Sequence, residues 1–600
     1  MSALEDVLAK GSFDYIVIGG GTAGLTLASR LTEDPHNSVL VLEAGNDNTS
    51  DANILRPASY GAHFGNDAYS WGRKTSEQSH AANNQIVWHC GKGLGGSSGI
   101  NFMIYMRPSS DCVDDFERLG NPGWNSKHLE RLLCKVEGYV PPSQPDARFD
   151  THWQAARKLG THGPLKISFP PGENELEFIV LEAFKKAGIP VARDPFGGDI
   201  TGVWMAPNAY DLVTHTRSYS ATAYYLPHRD RPNFTVLLNA LVARAITQKA
   251  HSGFVTATGV EFFHGGKKYV VHANKEVIVC AGALKSAHIL ELSGIGRKEV
   301  LEKINVPVQV DLNGVGTNVQ DHVCNAMSFE LKDDVPYDTS DILRDPKVAA
   351  EHIRLHSTGA GIHTSGLTNI LCVPPELVSP NAPKVYQRAK EHILKHWYSY
   401  SPEVQAQYRI RLDRIDKKIP GTEILLLKGY FSMPNRTGKG KKYITLLNIL
   451  NNALSRGTIH AISNDPLEDP EYDPHYLEIT ADLDIMVEQV HLSRRLASTS
   501  PLKEIIAREL LPGPDVQTDE QIREWIASTI GTPWHIACTC SMMPRDKGGV
   551  VDPQLKVYGT TNIRVADLSI IPIHVASHPM SVVYAIGEYA AEVIMGTSQL

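Results

Sequence analysis

The sequence lacks the features that mark membrane proteins, disulfide-rich secreted proteins and zinc proteins. No stretch approaches the roughly 18 uninterrupted apolar residues of a membrane span. Its eight cysteines are scattered over 600 residues, with neither the paired spacing of a zinc site nor the density of a disulfide framework. We therefore expect reduced cysteines, no metal site and no insertion into a membrane.

Charge of one sign is not concentrated anywhere along the chain. Lys and Arg number 58 against 66 Asp and Glu, the net charge is −8, and no basic stripe is present, so nucleic acid is not an expected partner. Glu5 and Asp6 stand where a secretory signal needs a basic end, which predicts a protein that is not secreted. The final tripeptide, Ser598, Gln599 and Leu600, resembles the peroxisomal Ser-Lys-Leu address. The expected location is therefore the cytoplasm or the peroxisome.

A β-α-β unit opens the chain. Residues 13–18 are a short apolar run typical of a strand, residues 22–32 have the apolar spacing of a helix, and residues 38–42 form a second buried-strand pattern. Residues 275–280 and 562–566 are also strand-like, and both lead into segments that suit the same nucleotide site. Because these pieces lie far apart in a chain long enough for two large domains, we expect a discontinuous nucleotide-binding domain.

Glycines of a dinucleotide fingerprint follow the first strand. Gly19, Gly21 and Gly24 form Gly-x-Gly-x-x-Gly between the strand and the helix. In this motif the first glycine permits the tight turn, the second lets the backbone approach a pyrophosphate, and the third lets the helix pack closely on the strand. The free amides at the start of the helix, including those of Thr22 and Ala23, are expected to face the phosphates.

Glu43 ends the second strand, about 20 residues after the fingerprint, where a carboxylate accepts hydrogen bonds from ribose hydroxyls. A carboxylate at this point disfavours a 2′-phosphate. The fingerprint alone does not separate FAD from NAD.

Longer motifs resemble the signatures of the glucose-methanol-choline oxidoreductases. GKGLGGSSGIN at residues 91–101, continuing to Asp114, resembles the first signature position by position. GALKSAHILELSGIG at residues 282–296 resembles the second, except that Ala287 stands where proline or serine is usual. The chain is also similar to the family at RSYSA (217–221), GVGTN (314–318), Asp321-His322 and residues 551–567.

This resemblance implies an α/β fold, α+β overall, in which a Rossmann-like FAD-binding domain lies beneath a sheet-plus-helix substrate-binding domain. We assign residues 1–160, 205–325 and 535–600 to the former and residues 161–204 and 326–534 to the latter. Helical patterns dominate residues 347–419 and 482–529, whereas residues 443–463 appear extended. Both domains are therefore expected to contain helices and strands.

The resemblance also implies a set of FAD contacts. Gly95, Gly96 and Ser97 form a donor-rich turn, and the amide of Asn101 suits the flavin or an entering oxygen. Asp567 is expected near the sugar or the pyrophosphate. FAD should be noncovalent, because Ile100 occupies the position of the flavin-linking histidine of choline-oxidase-like members. The remaining expected contacts are Val242, Ala281, Pro579 and Met580. Pro579 and Met580 stand at the start of the final helix, expected at residues 580–594, and the positive end of this helix can stabilise reduced flavin.

Two of the 25 histidines have the context of catalysts. His535, in HIACT, resembles the histidine of the family's His-x-x-Gly-Thr segment, with Cys538 in place of glycine, and a side chain there is expected to reshape the pocket. His578, in SHPM, resembles the second active-site residue, as in aryl-alcohol oxidases and glucose oxidases. An imidazole with an ordinary pKa of about 6.5 can take a hydroxyl proton at neutral pH, so we assign His535 as the general base and His578 as donor or orienting group. His574 is the expected decoy.

The function implied is oxidation of an alcohol, with hydride transfer to flavin N5. A primary or aromatic alcohol is favoured over a free sugar. Dioxygen, giving peroxide, is the leading acceptor, and a quinone or other acceptor is the alternative. A non-redox lyase or cyclase reaction, known in the same family, stays open.

Overall fold

Two β-sheets, one mainly parallel and one antiparallel, organise the computed structural model, which describes residues 2–142, 146–171, 175–251 and 253–598. Gln599 and Leu600, and with them most of the tripeptide expected as an address, lie outside the described residues. Within the described ranges, no helix has the length and apolarity needed to cross a membrane. All eight cysteines fall inside these ranges and are free.

The mainly parallel sheet is built on the strand Ser12–Ile18, whose apolar side chains are all buried. Buried apolar runs of this kind are typical of strands covered on both faces. Ile16 is in register with Leu40, and Ile18 with Val279. The strands across this sheet are Phe234–Leu237, Val39–Leu42, Ser12–Ile18, Lys267–Val279, Val255–His264 and Leu241–Lys249, with Ile563–Val565 also paired to Lys267–Val279.

Two helices cover this sheet and pack on each other, Thr22–Leu31 and the final helix, Met580–Ile594. Gly587 permits their close crossing, because a Cβ there would lie 2.8 Å from Thr26 Cβ. The start of each helix points toward the space between the two sheets, where residues of both helix starts line one cavity.

The antiparallel sheet forms the opposite wall of that cavity. Its strands, in spatial order, are Ile506–Leu511, Val323–Leu331, Tyr443–Leu450, Thr422–Leu427, Asn369–Val373 and Gly202–Met205. Helices Thr480–Ala497 and Asp519–Thr529 pack on each other beside it. Other helices are Ala3–Lys10, Ala52–Leu55, Ser110–Arg118, Ser126–Val136, Asp150–Ala156, Glu175–Lys186, Ser286–Leu292, Lys298–Lys303, Pro346–His356, Pro375–Val378, Ala382–Lys395, Pro402–Asp416 and Leu502–Ile505.

The predicted opening unit is present, with strand Ser12–Ile18, helix Thr22–Leu31 and strand Val39–Leu42. The two segments predicted to be dominated by helix each contain a strand, Asn369–Val373 and Ile506–Leu511. Both strands join the antiparallel sheet, so tertiary pairing decides their conformation. The predicted domain boundaries stay a prediction.

Candidate active site

One cavity of about 750 Å³ runs between the two sheets, from the glycine fingerprint to the predicted histidine pair. The antiparallel sheet contributes Leu425, Leu447 and Ile449 to its wall. All of the predicted site residues line this cavity except Gly24 and Gly95. A single concave site of this size is suited to a cofactor and a small substrate together.

The fingerprint glycines have different reasons to be glycine. Gly19 has φ +107°, and a Cβ there would lie 2.5 Å from the carbonyl oxygen of Cys280. A Cβ on Gly24 would lie 2.0 Å from the Gly19 carbonyl oxygen, so this glycine is required by packing alone. A Cβ on Gly21 would meet only Gly96 Cα, at 3.9 Å, and would otherwise project over the cavity that Gly21 lines.

The start of helix Thr22–Leu31 has no side-chain cap among the described residues, and Gly21 is its N-cap. Thr22 and Ala23 line the cavity at this point. Uncapped helix N-termini carry free N–H groups and a partial positive charge, and both favour a phosphate. The residues present therefore fit the pyrophosphate of a dinucleotide such as FAD.

Glu43 lines the cavity but also holds three loops together. Its carboxylate accepts backbone N–H groups of Gly20 and Gly45 at 2.8 Å and of Gly93 at 3.0 Å. Burial raises the pKa of Glu43, and these three hydrogen bonds oppose that rise. The predicted ribose contact would therefore add to a structural role that the sequence did not indicate.

The turn at residues 95–101 packs directly on the fingerprint. Gly96 has φ +50°, and a Cβ there would lie 2.8 Å from Gly21 Cα, while a Cβ on Gly95 would lie 2.4 Å from the Tyr219 ring. Asn101 Nδ2 donates to Met580 Sδ at 3.0 Å. Its Oδ1 accepts from the buried Arg217 at 2.7 Å. The predicted flavin contacts Asn101 and Met580 thus touch each other on the cavity wall.

Asp567 anchors the loop that follows the strand Lys267–Val279. Its carboxylate accepts from the Gly282 N–H at 2.9 Å, the Ser286 hydroxyl at 2.5 Å and the Ser569 N–H at 2.8 Å. Burial raises the pKa of Asp567, and these donors oppose the rise. Its place on the cavity wall suits the predicted contact with a sugar or pyrophosphate.

His535 is fixed at its backbone and at its ring. Its N–H donates to Asp321 Oδ1 at 3.0 Å, and its carbonyl oxygen accepts from His574 Nε2 at 2.6 Å. Its ring Nδ1 lies 2.9 Å from Nδ1 of His322. Burial, together with His578 and His574, holds the pKa of His535 well below its ordinary value. The ring of His535 is therefore neutral, and Nε2 is the nitrogen left for the cavity.

His578 has a different kind of partner. Its ring centroid lies 5.2 Å from that of His535, and its Nε2 is 2.8 Å from Oε1 of Glu423, whose side chain is fully buried. Asn451 donates to the other carboxylate oxygen at 2.8 Å. A carboxylate only accepts hydrogen bonds, so Nε2 carries a hydrogen and Nδ1 is the nitrogen left for the cavity.

Aromatic rings surround the cavity beside His535. The ring centroid of Phe64 is 4.5 Å from that of Trp534 and 4.6 Å from that of His89. Phe102 lies 6.5 Å from Trp534 and 6.4 Å from Phe431 by the same measure. All five side chains line the cavity. Such walls favour a flat, apolar ligand.

Two neighbours of His535, His574 and Cys538, lie outside the cavity wall. His574 bonds the His535 carbonyl and is not on the cavity wall, which fits the expected decoy. Cys538 is fully buried and is not among the lining residues, so its side chain does not itself form the cavity wall. It has φ +74°, a backbone conformation that favours glycine, and burial raises its pKa to about 12, which keeps it a thiol.

The sequence did not single out Glu423 or the ring of His322. Glu423 lies in the strand Thr422–Leu427, TEILLL, in which every residue is buried. A carboxylate inside a fully buried apolar run needs a partner, which is the signal available in the sequence. His322 had been noted only as part of a motif.

Comparisons with known proteins identify the family of this chain. The chain matches the family described as GMC oxidoreductase over residues 13–324 and 453–587. The GMC oxidoreductase family protein Mala s 12 of Malassezia sympodialis is 35% identical over 98% of this chain and 93% of that protein. Dehydrogenase mpl7 of Monascus purpureus is 32% identical over 97% of this chain and 96% of that protein.

Among solved structures, a fungal aryl-alcohol oxidase has a TM-score of 0.83 and 27% identity, covering 98% of this chain and 99% of its own. The predicted family and fold class are confirmed. This chain therefore belongs to the glucose-methanol-choline (GMC) oxidoreductase family of FAD-dependent enzymes.

Proposed function

We propose that this enzyme oxidises a primary alcohol bearing an aromatic or similarly flat group to the aldehyde, with dioxygen as the electron acceptor. FAD, when bound, supplies the two-electron acceptor for the carbinol C–H bond. The observation that carries the proposal is the pair of ring nitrogens, His535 Nε2 and His578 Nδ1, left for one cavity that also contains an uncapped helix start.

Residues proposed to hold FAD line the same cavity as the two histidines. Thr22 and Ala23 would offer backbone amides to the pyrophosphate, and Glu43 would accept from a ribose hydroxyl. Asn101 and the start of helix Met580–Ile594 lie near the histidines, where the isoalloxazine ring would reach. Ile100 has no nucleophilic atom, so this position gives the flavin no covalent link.

His535 is the proposed general base. Its lowered pKa keeps the ring neutral at neutral pH, and Nε2 can then accept the hydroxyl proton as the C–H bond breaks. A carboxylate or a lysine would need a large pKa shift for the same task.

His578 is proposed to hold the substrate oxygen. Its Nε2 is held at 2.8 Å by Glu423, whose side chain is fully buried, and this contact fixes the ring with Nδ1 left for the substrate oxygen. The neutral ring of His535 lies beside it. The two histidines thus divide orientation of the oxygen and acceptance of the proton between them.

The aromatic wall supports the substrate class. Phe64, Phe102 and Trp534 surround the cavity immediately beside His535, so a benzylic alcohol would stack there while its hydroxyl reaches the histidines. A free sugar would leave its hydroxyls against these apolar faces.

The acceptor has one alternative with specific support, a dehydrogenase that uses a quinone or another acceptor, because some relatives carry the name dehydrogenase. The test is anaerobic mixing of the purified flavoprotein with 4-methoxybenzyl alcohol, glucose, choline and methanol. We expect flavin bleaching with the aryl alcohol, followed by rapid re-oxidation when air is admitted. Bleaching without re-oxidation by air would favour the dehydrogenase, and no bleaching by any alcohol would overturn the proposal.

Noncovalent FAD is tested by acid precipitation of the holoenzyme. We expect all of the yellow colour in the supernatant. Colour that stays in the washed pellet would contradict the assignment.

A further inference from the structure

A second histidine lies behind His535 and is not part of the cavity wall. His322 is fully buried, and its ring stands nearly perpendicular to that of His535, at 84°, with the centroids 5.0 Å apart. The two Nδ1 atoms are 2.9 Å apart, which is hydrogen-bonding distance. One of the two nitrogens must therefore carry the hydrogen and the other must be bare.

The backbone decides which nitrogen carries it. His322 Nε2 lies 2.9 Å from the carbonyl oxygen of Val575. A carbonyl oxygen only accepts, so His322 Nε2 carries a hydrogen. In a neutral imidazole the other nitrogen is then bare, which makes His322 Nδ1 the acceptor and His535 Nδ1 the donor.

The surroundings of His322 keep it neutral. The ring of His574 lies against it, with centroids 3.9 Å apart, and His535 bonds it on the other side. Burial, followed by the neighbouring His574 and His535, holds the pKa of His322 well below its ordinary value. A cationic His322, which would donate to His535 instead, is therefore disfavoured.

We propose that His322 is a positioning residue that fixes His535 in the tautomer with hydrogen on Nδ1, leaving Nε2 bare for the cavity. The catalytic consequence rests on the proposed function, whereas the tautomer itself does not. When His535 accepts the hydroxyl proton at Nε2, the resulting imidazolium still donates from Nδ1 to His322, so this bond persists through the proton transfer.

The preceding residue completes the arrangement. Asp321 Oδ1 accepts the His535 N–H at 3.0 Å, and Tyr476 and Thr532 donate to its other oxygen at 2.5 and 2.6 Å. Two consecutive residues thus hold the main chain and the ring of the same histidine. This explains physically why Asp321 and His322 stand together in the sequence.

Two amide substitutions separate the positioning role from a packing role. His322→Asn places an amide oxygen near the former Nδ1 and keeps an acceptor for His535. His322→Gln places its amide near the former Nε2, keeps a donor for Val575 and removes that acceptor. Both change the ring to a smaller amide, so each is the matched control of the other.

The first readout is ring-¹⁵N histidine NMR of the holoenzyme, with the His535 signals assigned by their loss in His535→Ala. We expect an Nδ1–H and a bare Nε2 for His535 in the wild type and in His322→Asn, and a changed or mixed tautomer in His322→Gln. A bare Nδ1 on His535 in the wild type overturns the proposal, even if neither variant folds or no substrate is found.

The second readout is anaerobic flavin reduction by 4-methoxybenzyl alcohol. We expect the limiting rate of His322→Gln to fall roughly 10- to 1,000-fold, within the cost of a wrong base tautomer, with KM little changed. His322→Asn should stay within a few-fold of wild type. Equal losses in both variants, tracking equal losses of thermal stability, would show a packing role only. A wild type that is not reduced would count against the proposed function and leave the NMR result as the test of the tautomer.

Discussion

At the scale of single residues, two histidines in one cavity differ because their partners differ. His535 bonds a neutral ring, His322, whereas His578 bonds a buried carboxylate, Glu423. The first arrangement favours a neutral base, and the second fixes the ring that orients the substrate oxygen. His535→Ala should keep its flavin yet lose roughly 100- to 10,000-fold in the rate of flavin reduction, the usual contribution of a general base.

His578→Asn is the comparison, because asparagine keeps a donor and should cost much less. Stopped-flow reduction of the two variants and the wild type measures both effects. Near-native reduction by His535→Ala, or complete loss in His578→Asn alone, would show that the two roles are assigned wrongly.

The pH dependence of flavin reduction follows from the groups around the base, which are Asp321, His322, His574, His578 and Glu423. The pKa of His535 lies well below its ordinary value, so the base is neutral at neutral pH and is lost only on acidification. Burial raises the pKa of Asp321 to about 7, and protonation there weakens its hold on the His535 N–H. Reduction should therefore be constant well above pH 7, decline in a step centred near pH 7 and decline further at lower pH.

In Asp321→Asn, which has no carboxylate to titrate, the step near pH 7 should disappear and the decline at lower pH should remain. The check is the rate of anaerobic reduction at saturating alcohol from pH 5 to 9. In Asp321→Asn, a rate that falls as the pH is lowered from 9 to 7 would contradict a neutral base.

The sequence led to both histidines because each lies in a recognisable local motif. It did not lead to Glu423 or to the role of His322, because their value depends on partners 155 and 213 residues away along the chain. Such pairings depend on how the strands are arranged in the folded protein, which a local sequence pattern does not indicate.

At the scale of elements, the fingerprint loop and its helix were predictable because turn, strand and helix signals agree in one short segment. The strands Asn369–Val373 and Ile506–Leu511 were not, because a short buried apolar run between helical patterns does not separate strand from helix by periodicity. Pairing within the antiparallel sheet settles both.

The fingerprint glycines give a matched pair of substitutions. Gly24→Ala forces a Cβ to 2.0 Å from the Gly19 carbonyl oxygen and should destabilise the protein by about 1–3 kcal/mol even without flavin. Gly21→Ala meets nothing closer than 3.9 Å in the protein, and its φ of −81° suits alanine. The apoprotein should therefore keep its stability while FAD binding weakens by about 1–3 kcal/mol, since the methyl group enters the space of the pyrophosphate.

Thermal unfolding of the apoproteins and flavin content after dilution separate these outcomes. Full flavin content in Gly21→Ala would show that the pyrophosphate does not pass this glycine. Equal stability of the two apoproteins would contradict the packing role of Gly24.

At the scale of the whole molecule, the site is assembled from segments spread along nearly the whole chain. Residues 19–43 and 578–580 belong to the side of the mainly parallel sheet, while Glu423 comes from the antiparallel sheet. The family resemblance implied a sheet in each domain and one cofactor site, but the distances within the site come from the docking of the two sheets. Buried neutral histidines at such packing points link stability to pH.

His152 offers a clean test of this linkage away from the cavity. It is buried, and its Nδ1 accepts the backbone N–H of Met205, at 3.4 Å, which joins helix Asp150–Ala156 to the antiparallel sheet. Burial, followed by Lys185, lowers the pKa of His152 to about 4 from an ordinary 6.5. Because the folded pKa is the lower one, its contribution to stability is complete above pH 6.5 and is lost progressively as the pH falls toward 4.

His152→Asn keeps an acceptor for Met205 and cannot be protonated, so it removes the linkage without removing the hydrogen bond. Relative to that of the wild type, the free energy of unfolding of the variant should rise by up to about 2 kcal/mol as the pH falls from 6.5 to 5, at about 1.36 kcal/mol for each unit of pH. This holds whatever the stability of the variant at pH 7. Urea unfolding of both proteins at pH 7, 6 and 5 measures the difference. A constant offset from the substitution cancels in this comparison. A gap that does not change with pH would therefore mean that His152 has the same pKa in the folded protein as in the unfolded chain, and that the Met205 N–H does not donate to its ring.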